Sequence, residues 1–423
     1  MLDIKFIRDN KDIVIAGAKK KHIDVDIEKL ITLDDKRREL LKVVEDMRAK
    51  QNTITKEIST EQNQEMRASK IAEMQKLKEQ IQKENDKLKD VLKEWQQLML
   101  LVPNVPDISV PEGESDEDNV EVKVWGDVPS FDFEIKDHIT LMQNLDMVDL
   151  ERGTKVAGFR GYFLKNDGAM LEWAIFHFAQ EFFLQRNFTP MIVPSLLNKE
   201  PFIGTGYLPQ EEENLYKTQD DKYLAGTAEV AVMSYFMDET LKESDLPFKA
   251  FAFSPCFRRE AGSHGKDTKG LIRVHEFFKY EQVVLCEASH ETSVRIHEEL
   301  TKNSEEFLQA LGIPYHIVVN CGGDIGLGQV KKYDIEAWMP SQNKYRETHS
   351  SSYFHDFQTR RLGIKYKDSN GNLRYAHSLN NTAIAGPRIL AVLVENYQQP
   401  DGSIIVPEVL RKYVGKEKIT KET

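Results

Sequence analysis

Cysteine is scarce in this chain: Cys256, Cys286 and Cys321 are the only three among 423 residues, and no two form a C-x-x-C pair. That excludes a zinc ribbon or dithiol redox centre, and the odd count fits reduced thiols in a cytoplasmic setting. Long apolar runs are missing too. No stretch reaches the roughly 18 apolar residues of a membrane-spanning helix, and residues 1–6 lack the basic flank and apolar run of a secretion signal. Positive charge is not in excess: 57 Lys+Arg stand against 69 Asp+Glu, a net charge of −12. A uniformly basic nucleic-acid coat is thereby excluded, although local basic faces are not. Several nucleotide and catalytic signatures are also absent. Residues 322–328 are glycine-rich but fit neither G-x-x-x-x-G-K-[ST] nor G-x-G-x-x-G. A P-loop or Rossmann turn is therefore not expected. There is no H-E-x-x-H and no G-x-S-x-G; His349 and His355, six apart, read as ordinary surface or hydrogen-bonded histidines.

What is present is a soluble, foldable composition, 40% hydrophobic and 30% charged, long enough for two or three domains. Residues 27–100 differ from the rest. Leu33, Arg37, Leu40, Val44, Met47, Gln51, Ile54 and Ile58 step by fours and threes, the seam of one long helix. A polar segment at 59–64 predicts a turn. A second series follows, Met74, Leu77, Ile81, Asn85, Leu88, Leu92, Trp95 and Met99, with a 4-4 stutter at its centre. No Pro or Gly interrupts 27–100, so the spacing predicts two helices of roughly 45 Å folded into an antiparallel hairpin. Residues 31–100 hold 15 Lys/Arg and 14 Asp/Glu, net +1, which leaves −13 for the remainder. Such an arm is either a dimerising or spacing coiled coil or a probe for a long polyanion. Residues 1–26, with Leu2, Ile4, Ile7, Ile13 and Ile15, read as a small helical cap. Prolines at 103, 106 and 111 and an acidic run at 112–118 mark a surface linker.

From about residue 130 helices and strands mix. The pattern predicts a helix over 171–185, strands over 191–193, 250–257, 273–285 and 315–319, and a helix over 388–396 opened by Pro387. Hairpin-like connections suggest an antiparallel α+β domain. The richest stretch runs from Pro255-Cys256-Phe257-Arg258-Arg259-Glu260 through a polar loop at 261–270 to Arg273-Val274-His275-Glu276-Phe277. At period two Arg273, His275, Phe277, Lys279 and Glu281 share a face. That face is either an outer, solvated one or the floor of a nucleotide site, with arginine for phosphate, an aromatic ring for the base and an acid for an amine or metal.

These residues carry a resemblance. Phe257-Arg258-Arg259-Glu260 in its setting resembles the second signature motif of class II aminoacyl-tRNA synthetases. Phe188-Thr189-Pro190-Met191-Ile192-Val193-Pro194 resembles the first, with Asn187 where glycine usually precedes the phenylalanine. Gly386-Pro387-Arg388 and its apolar helix resemble the third. Thr227-Ala228-Glu229, Tyr345-Arg346-Glu347, Asp356-Phe357-Gln358 and Glu395-Asn396-Tyr397-Gln398 follow in family order. With the arm, the whole chain is similar to the bacterial-type seryl-tRNA synthetase family.

The resemblance implies an antiparallel-sheet class II catalytic domain at 131–423, a linker at 103–130 and an N-terminal tRNA-binding domain at 1–102 bearing the helical-hairpin, coiled-coil arm. It implies attachment of L-serine to tRNA(Ser) through a seryl-adenylate, with ATP as substrate, Mg2+ as cofactor and a homodimer as the assembly. Arg258, Glu260 and Arg388 would be catalytic. Arg258, Arg259, Glu260, Val274, Phe277, Glu347, Thr348, His349, Ser350 and Arg388 would contact ATP, with Glu347 and Ser350 on the metal. Thr227, Ala228, Glu229, Glu281, Asn380 and Thr382 would hold serine. Two segments depart from the family's common runs: Asn380-Asn381-Thr382-Ala383 stands for Asn-Gly-Ser-Gly, and Glu347-Thr348-His349-Ser350-Ser351-Ser352-Tyr353 for Glu-Ile-Ser-Ser-Cys-Ser-Asn. An amino acid:carrier-protein ligase with the same adenylation site, or a non-catalytic tRNA-binding paralogue, are the alternatives; the arm opposes the first, and Arg258, Glu260, Glu347 and Arg388 oppose the second.

Overall fold

A computed structural model describes every residue except Ser263, His264, Lys266, Glu422 and Thr423. Three of these belong to the expected polar loop at 261–270, which to that extent lies outside the described residues. The chain forms two compact units, one of residues 2–19 and 23–103, the other of residues 1, 20–22 and 104–423.

The first unit is built on helices α1 (Ile27–Thr60) and α2 (Gln64–Leu101). Asp26 caps α1 by accepting from the Lys29 N–H at 2.8 Å, and Asn63 caps α2 by accepting from Glu65 and Met66 at 2.9 and 3.2 Å. The turn is thus three residues, within the expected polar segment, and Pro103 follows the end of α2. All eight seam positions from Leu33 to Ile58 are buried or half-buried. On α2 one expected member is displaced: Leu92 is exposed and Val91 is buried in its place. The two four-residue steps at Leu77–Ile81–Asn85 rotate the apolar face, and two three-residue steps, Asn85–Leu88–Val91, bring it back to an average of 3.5. Polar seam members meet specific partners. The Arg37 guanidinium lies 4.9 Å from the Trp95 ring and also bonds buried Asp34, which Arg8 reaches at 3.1 Å. Lys29–Glu94 at 2.6 Å and Lys50–Glu73 at 2.9 Å tie the antiparallel helices edge to edge. In the cap helices Ile7 and Val14 are buried, whereas Ile13 and Ile15 are exposed, because the helix face turns between neighbouring residues.

The second unit is centred on an eight-stranded sheet. Its strands are β1 (Val120–Trp125), β2 (Thr189–Ile192), β3 (Phe248–Phe257), β4 (Glu276–Cys286), β5 (Tyr315–Val319), β6 (Lys331–Met339), β7 (Lys344–His355) and β8 (His377–Ala385), in the order β1-β5-β6-β7-β8-β4-β3-β2. Every pairing is antiparallel except β2 with β3. Helices α3 (Asp167–Leu184), α4 (His290–Ala310) and α5 (Gly386–Asn396) share one large apolar cluster with one face of the sheet. β2 pairs only with residues 250–253, so Pro255 falls where β3 has a single neighbour and needs no second ladder partner. Asn187, before β2, has φ +60°, a conformation that glycine adopts freely and asparagine tolerates better than most.

The expected strand at 273–285 begins later, at Glu276. Arg273 and His275 therefore leave the shared face. His275 instead bonds the Arg258 carbonyl through Nδ1 at 2.8 Å and lies near the Phe159 and Tyr216 rings, while Asp267 accepts from the Arg273 Nε at 3.2 Å. Local side-chain bonds outcompete the ladder there.

Candidate active site

Strand alternation decides which side chains face the helices and which face open space. Gln282, Ser351 and Asn381 are held by α4: Asn303 donates to Gln282 at 2.8 Å, Thr301 to Ser351 at 3.1 Å, and the Asn381 amide donates to Leu300 O and Ser304 Oγ at 2.6 and 2.9 Å. Their neighbours Glu281, Ser350 and Asn380 line a cleft on the other face.

Two β-bulges refine that alternation. Glu347 and Ser350 are three apart, which strict period two would put on opposite faces. Between β6 and β7 the register slips so that Thr348 has no partner, and both Glu347 and Ser350 then line the cleft. Between β4 and β8 the slip leaves out Ala383, and Thr382 and Ala385 both line it. Of the departures from the family runs, Thr348 and Thr382 line the cleft and the others do not. His349 is fully buried and lines neither end of the cleft, and burial brings its pKa down to about 4. Ala383 and Tyr353 belong to the apolar cluster, and Asn381 is pinned to α4.

The cleft has two ends. A cavity of about 460 Å³ is lined by Arg258, Glu260, Val274, Phe277, Thr348 and Arg388, among others. A neighbouring one of about 940 Å³ carries Thr227, Glu229, Glu281, Ser350, Asn380 and Thr382. Arg258, Lys279, Glu347 and Thr382 line both, so the two form one continuous space.

In the first end, the Arg258 guanidinium sits 5.4 Å from the Phe277 ring and donates through Nε to Gly226 O at 3.3 Å. Arg388, in the first turn of α5, donates to Glu347 O at 3.0 Å and approaches its carboxylate at 3.3 Å. Glu347 is 43% exposed at its side chain, into a cleft walled by protein. Burial alone would raise its pKa, but Arg388, Lys332 and Arg258 outweigh that and hold it well below the carboxylate range. Glu260 has φ +54°, a strained conformation for a non-glycine residue, and Arg273 clamps its carboxylate at 3.1 Å. Arg259 is exposed and lines none of these cavities, so the structure does not bring it to the cleft.

At the other end a hydrogen-bonded chain replaces the arginines. Lys279 donates to Thr227 Oγ1 at 2.8 Å and pairs with Glu281, and Thr227 donates to Glu281 at 3.3 Å. Glu229, on the short helix Glu229–Ser234, accepts from Gln358 at 2.7 Å and Tyr207 at 3.0 Å. Burial pushes its pKa up to about 7. Ala228 is buried beside these residues and contributes no polar group. Tyr207 was not picked out from sequence, and Lys279 and Gln358 were named there without a site role. Lys279 was within reach, since it shares the Phe277–Glu281 periodicity. Gln358 lay in a recognised segment, and Tyr207 carried no local signal.

An antiparallel sheet floored by an arginine over an aromatic ring, a second arginine at the start of the last long helix, and an acid between them define a class II aminoacyl-tRNA synthetase core. The model of the tRNA synthetase class II core domain (G, H, P, S and T) matches residues 212–397, and the seryl-tRNA synthetase N-terminal domain matches residues 1–106. The chain belongs to the seryl-tRNA synthetase family. It is 44% identical to the serine--tRNA ligase of Deinococcus radiodurans over 418 residues, 98% of each chain, and 44% identical to that of Caldicellulosiruptor bescii over 421 residues, 99% of this chain and 100% of the other. Among solved structures, seryl-tRNA synthetase from Pyrococcus horikoshii complexed with ATP superposes with a TM-score of 0.91 at 35% identity, covering 100% of both chains. The cytoplasmic serine-tRNA ligase from Naegleria fowleri in complex with AMP gives 0.87 at 33%, covering 100% of this chain and 99% of that one. No helix among the described residues is long and apolar enough to cross a membrane.

Proposed function

We propose that this enzyme joins L-serine to the 3′ end of tRNA(Ser) using ATP, through a seryl-adenylate, and that the two ends of the cleft divide that work. The observation that carries the reading is the continuity of an arginine-and-aromatic end with a Thr227–Glu229–Glu281 end across Arg258 and Glu347. ATP lies in the first end, its adenine on Phe277 beside the Val274 backbone and Glu260, its α-phosphate against Arg258 and its γ-phosphate against Arg388. Serine lies in the second, its ammonium towards Glu229 and Glu281 and its hydroxyl near Thr227, Asn380 and Thr382. The serine carboxylate attacks the α-phosphorus and pyrophosphate departs. The protein supplies position and positive charge for the oxygens that gain charge, with no covalent nucleophile.

Glu347 and Ser350, brought to one face by the bulge and with the carboxylate held ionised, form a hard oxygen pair that suits Mg2+. Bound there with ATP, the ion would neutralise phosphate charge. Thr348 lines the nucleotide end; Arg259 and His349 have no role in this scheme. Pyrophosphate exchange tested with all twenty amino acids should respond to serine; exchange driven by a different amino acid, or by none, refutes the substrate assignment.

Glu229 gives this reading a pH dependence. Its pKa is near 7, raised by burial, so its charge is present above that pH and lost below it. The KM for serine in pyrophosphate exchange should rise as pH falls from about 8 to about 6. In Glu229→Gln the KM should be high and flat over that interval. A wild-type KM that ignores pH removes Glu229 from the ammonium site.

Selectivity must separate serine from alanine, which lacks the hydroxyl, and from threonine, which adds a methyl. Buried hydrogen-bonding groups left unpaired reject the first strongly, whereas the second needs a wall. Thr382 faces both ends of the cleft and is a candidate for that wall. Thr382→Gly should raise threonine activation relative to serine by roughly 10-fold or more; an unchanged ratio in pyrophosphate exchange takes Thr382 out of the pocket.

The assembly is a homodimer formed by the catalytic unit, residues 131–423, with 1–102 as the tRNA-binding domain and 103–130 as linker, of which 120–125 is taken up into the sheet as β1. Support comes from exposed apolar side chains of this unit: Ile192 on edge strand β2 is 87% exposed, and Trp173 and Phe159, 59% and 56% exposed, line one further cavity together. Protein lacking residues 30–98 should still sediment as a dimer. A monomer would instead favour dimerisation through the coiled coil.

A further inference from the structure

The loop at 325–329 has no sheet ladder, yet residues 326–329 form one wall of the cavity that carries Thr227, Glu229, Glu281, Asn380 and Thr382. Within the loop the Gln329 N–H donates to Gly326 O at 3.2 Å and the Gly326 N–H to the Gln329 side chain at 2.5 Å, while most of its carbonyls are held from elsewhere. Lys21, only 4% exposed, donates its ammonium to Gly326 O at 3.0 Å, Leu327 O at 3.1 Å and Gln329 O at 2.5 Å. Asn104 completes the set, its backbone N–H donating to Leu327 O at 2.9 Å and its side chain to Gly328 O at 3.1 Å. Four consecutive carbonyls are thereby taken. Neighbours of Lys21 are seated as closely. A Cβ on Gly322 would lie 2.1 Å from Lys20 O, and the His22 ring bonds Gly113 O at 3.0 Å.

An ammonium has three donors, and here all three go to this one loop. Burying a lysine is costly, and the cost is offset only where each donor finds an acceptor. Burial pulls the Lys21 pKa well below its ordinary value, and three carbonyl acceptors oppose that pull, so the loop is held at fixed distances rather than merely covered.

We propose that Lys21 is a positioning residue for amino-acid selection: its ammonium, seated on the carbonyls of Gly326, Leu327 and Gln329, sets the wall against which the amino acid packs. The inference rests on the reading that this cavity takes serine. A wall that yields by about 1 Å weakens binding of the small substrate and admits a methyl group, and one methyl is worth about 10–200-fold in discrimination. This loop does not line the nucleotide end, so ATP binding is expected to change much less than serine binding.

The test is pyrophosphate exchange with serine and with threonine on Lys21→Met, Lys21→Gln and Asn104→Ala, each checked for a native thermal transition. Lys21→Met should raise the serine KM by about tenfold or more and lower the serine-to-threonine ratio, with the ATP KM within about twofold. Lys21→Gln keeps two N–H donors and should fall between; Asn104→Ala should shift in the same direction more weakly. Serine and ATP KM values that rise together indicate general disruption and overturn the proposal, as does a folded Lys21→Met with unchanged serine KM and ratio. Should Lys21→Met not fold, wild-type serine KM in both other variants overturns it. Wild-type exchange that does not depend on serine sinks the substrate reading instead, so the two failures are distinct.

Discussion

Deleting residues 30–98 is expected to leave serine-dependent pyrophosphate exchange nearly intact and to lower tRNA charging by orders of magnitude. The hairpin lies outside every residue assigned here to ATP or serine. Its two helices run side by side at the cut, where Lys29 pairs with Glu94 at 2.6 Å, so a short junction can close the chain. The arm's interior is an apolar seam with Ile54, Met74, Leu77 and Ile81 at its centre, which leaves its outer faces to solvent. Arg38, Lys42, Lys76, Lys78 and Lys83 are all exposed on those faces. Such residues suit the phosphates of a long RNA duplex, read by shape and backbone and weakened by salt. A scaffold coiled coil predicts equal loss of both activities or of neither. Measuring exchange and charging on the one deletion protein separates the two, and charging close to wild type rejects the tRNA-arm assignment.

The second large effect is expected at the arginines. Arg258→Ala and Arg388→Ala should each lower adenylate formation by about 10²–10³, the equivalent of about 3–4 kcal/mol for one lost donor to developing charge. Both should leave the fold intact, because neither side chain fills the apolar cluster. Arg388 also pairs with the Glu347 carboxylate at 3.3 Å, so Arg388→Ala removes a neighbour of the proposed metal pair as well as a phosphate contact. Normal serine-dependent exchange in either variant, with a native thermal transition, would remove that arginine from the phosphate site.

Much of this was legible along the chain because the signals are local. The eight-residue seam from Leu33 to Ile58 is a period of 3.5, and such a period survives in any environment that buries one side of a helix. The breaks on either side of the second helix, the polar turn at 59–64 and Pro103, are equally local. Strand 315–319 was placed to the residue, and the Arg258–Glu260 and Gly386–Arg388 segments were identifiable from their own residues. The boundary at Arg273 was misplaced because Asp267 and Arg258 compete with the ladder, and the competitor sits across a turn. Leu92 was misplaced for a related reason: the compensation for a stutter can fall on either of two adjacent residues, and packing chooses.

Which residue types are present, and the periods at which they recur, were thus determined by the sequence alone. Tertiary structure decided which of them meet. One unpaired residue, Thr348, turns Glu347 onto the same face as Ser350, and another, Ala383, does the same for Thr382 and Ala385. A strand's pattern reads the same with or without such a bulge, since the slip is defined only against the neighbouring strand. Lys21 and the carbonyls it holds are about 300 residues apart in the chain, as are few other contacts of the site, and Gln358 reaches Glu229 across 129 residues. Contacts over that separation leave no periodic trace, because what selects them is the geometry of the closed sheet and the need of each buried charge and carbonyl to find a partner.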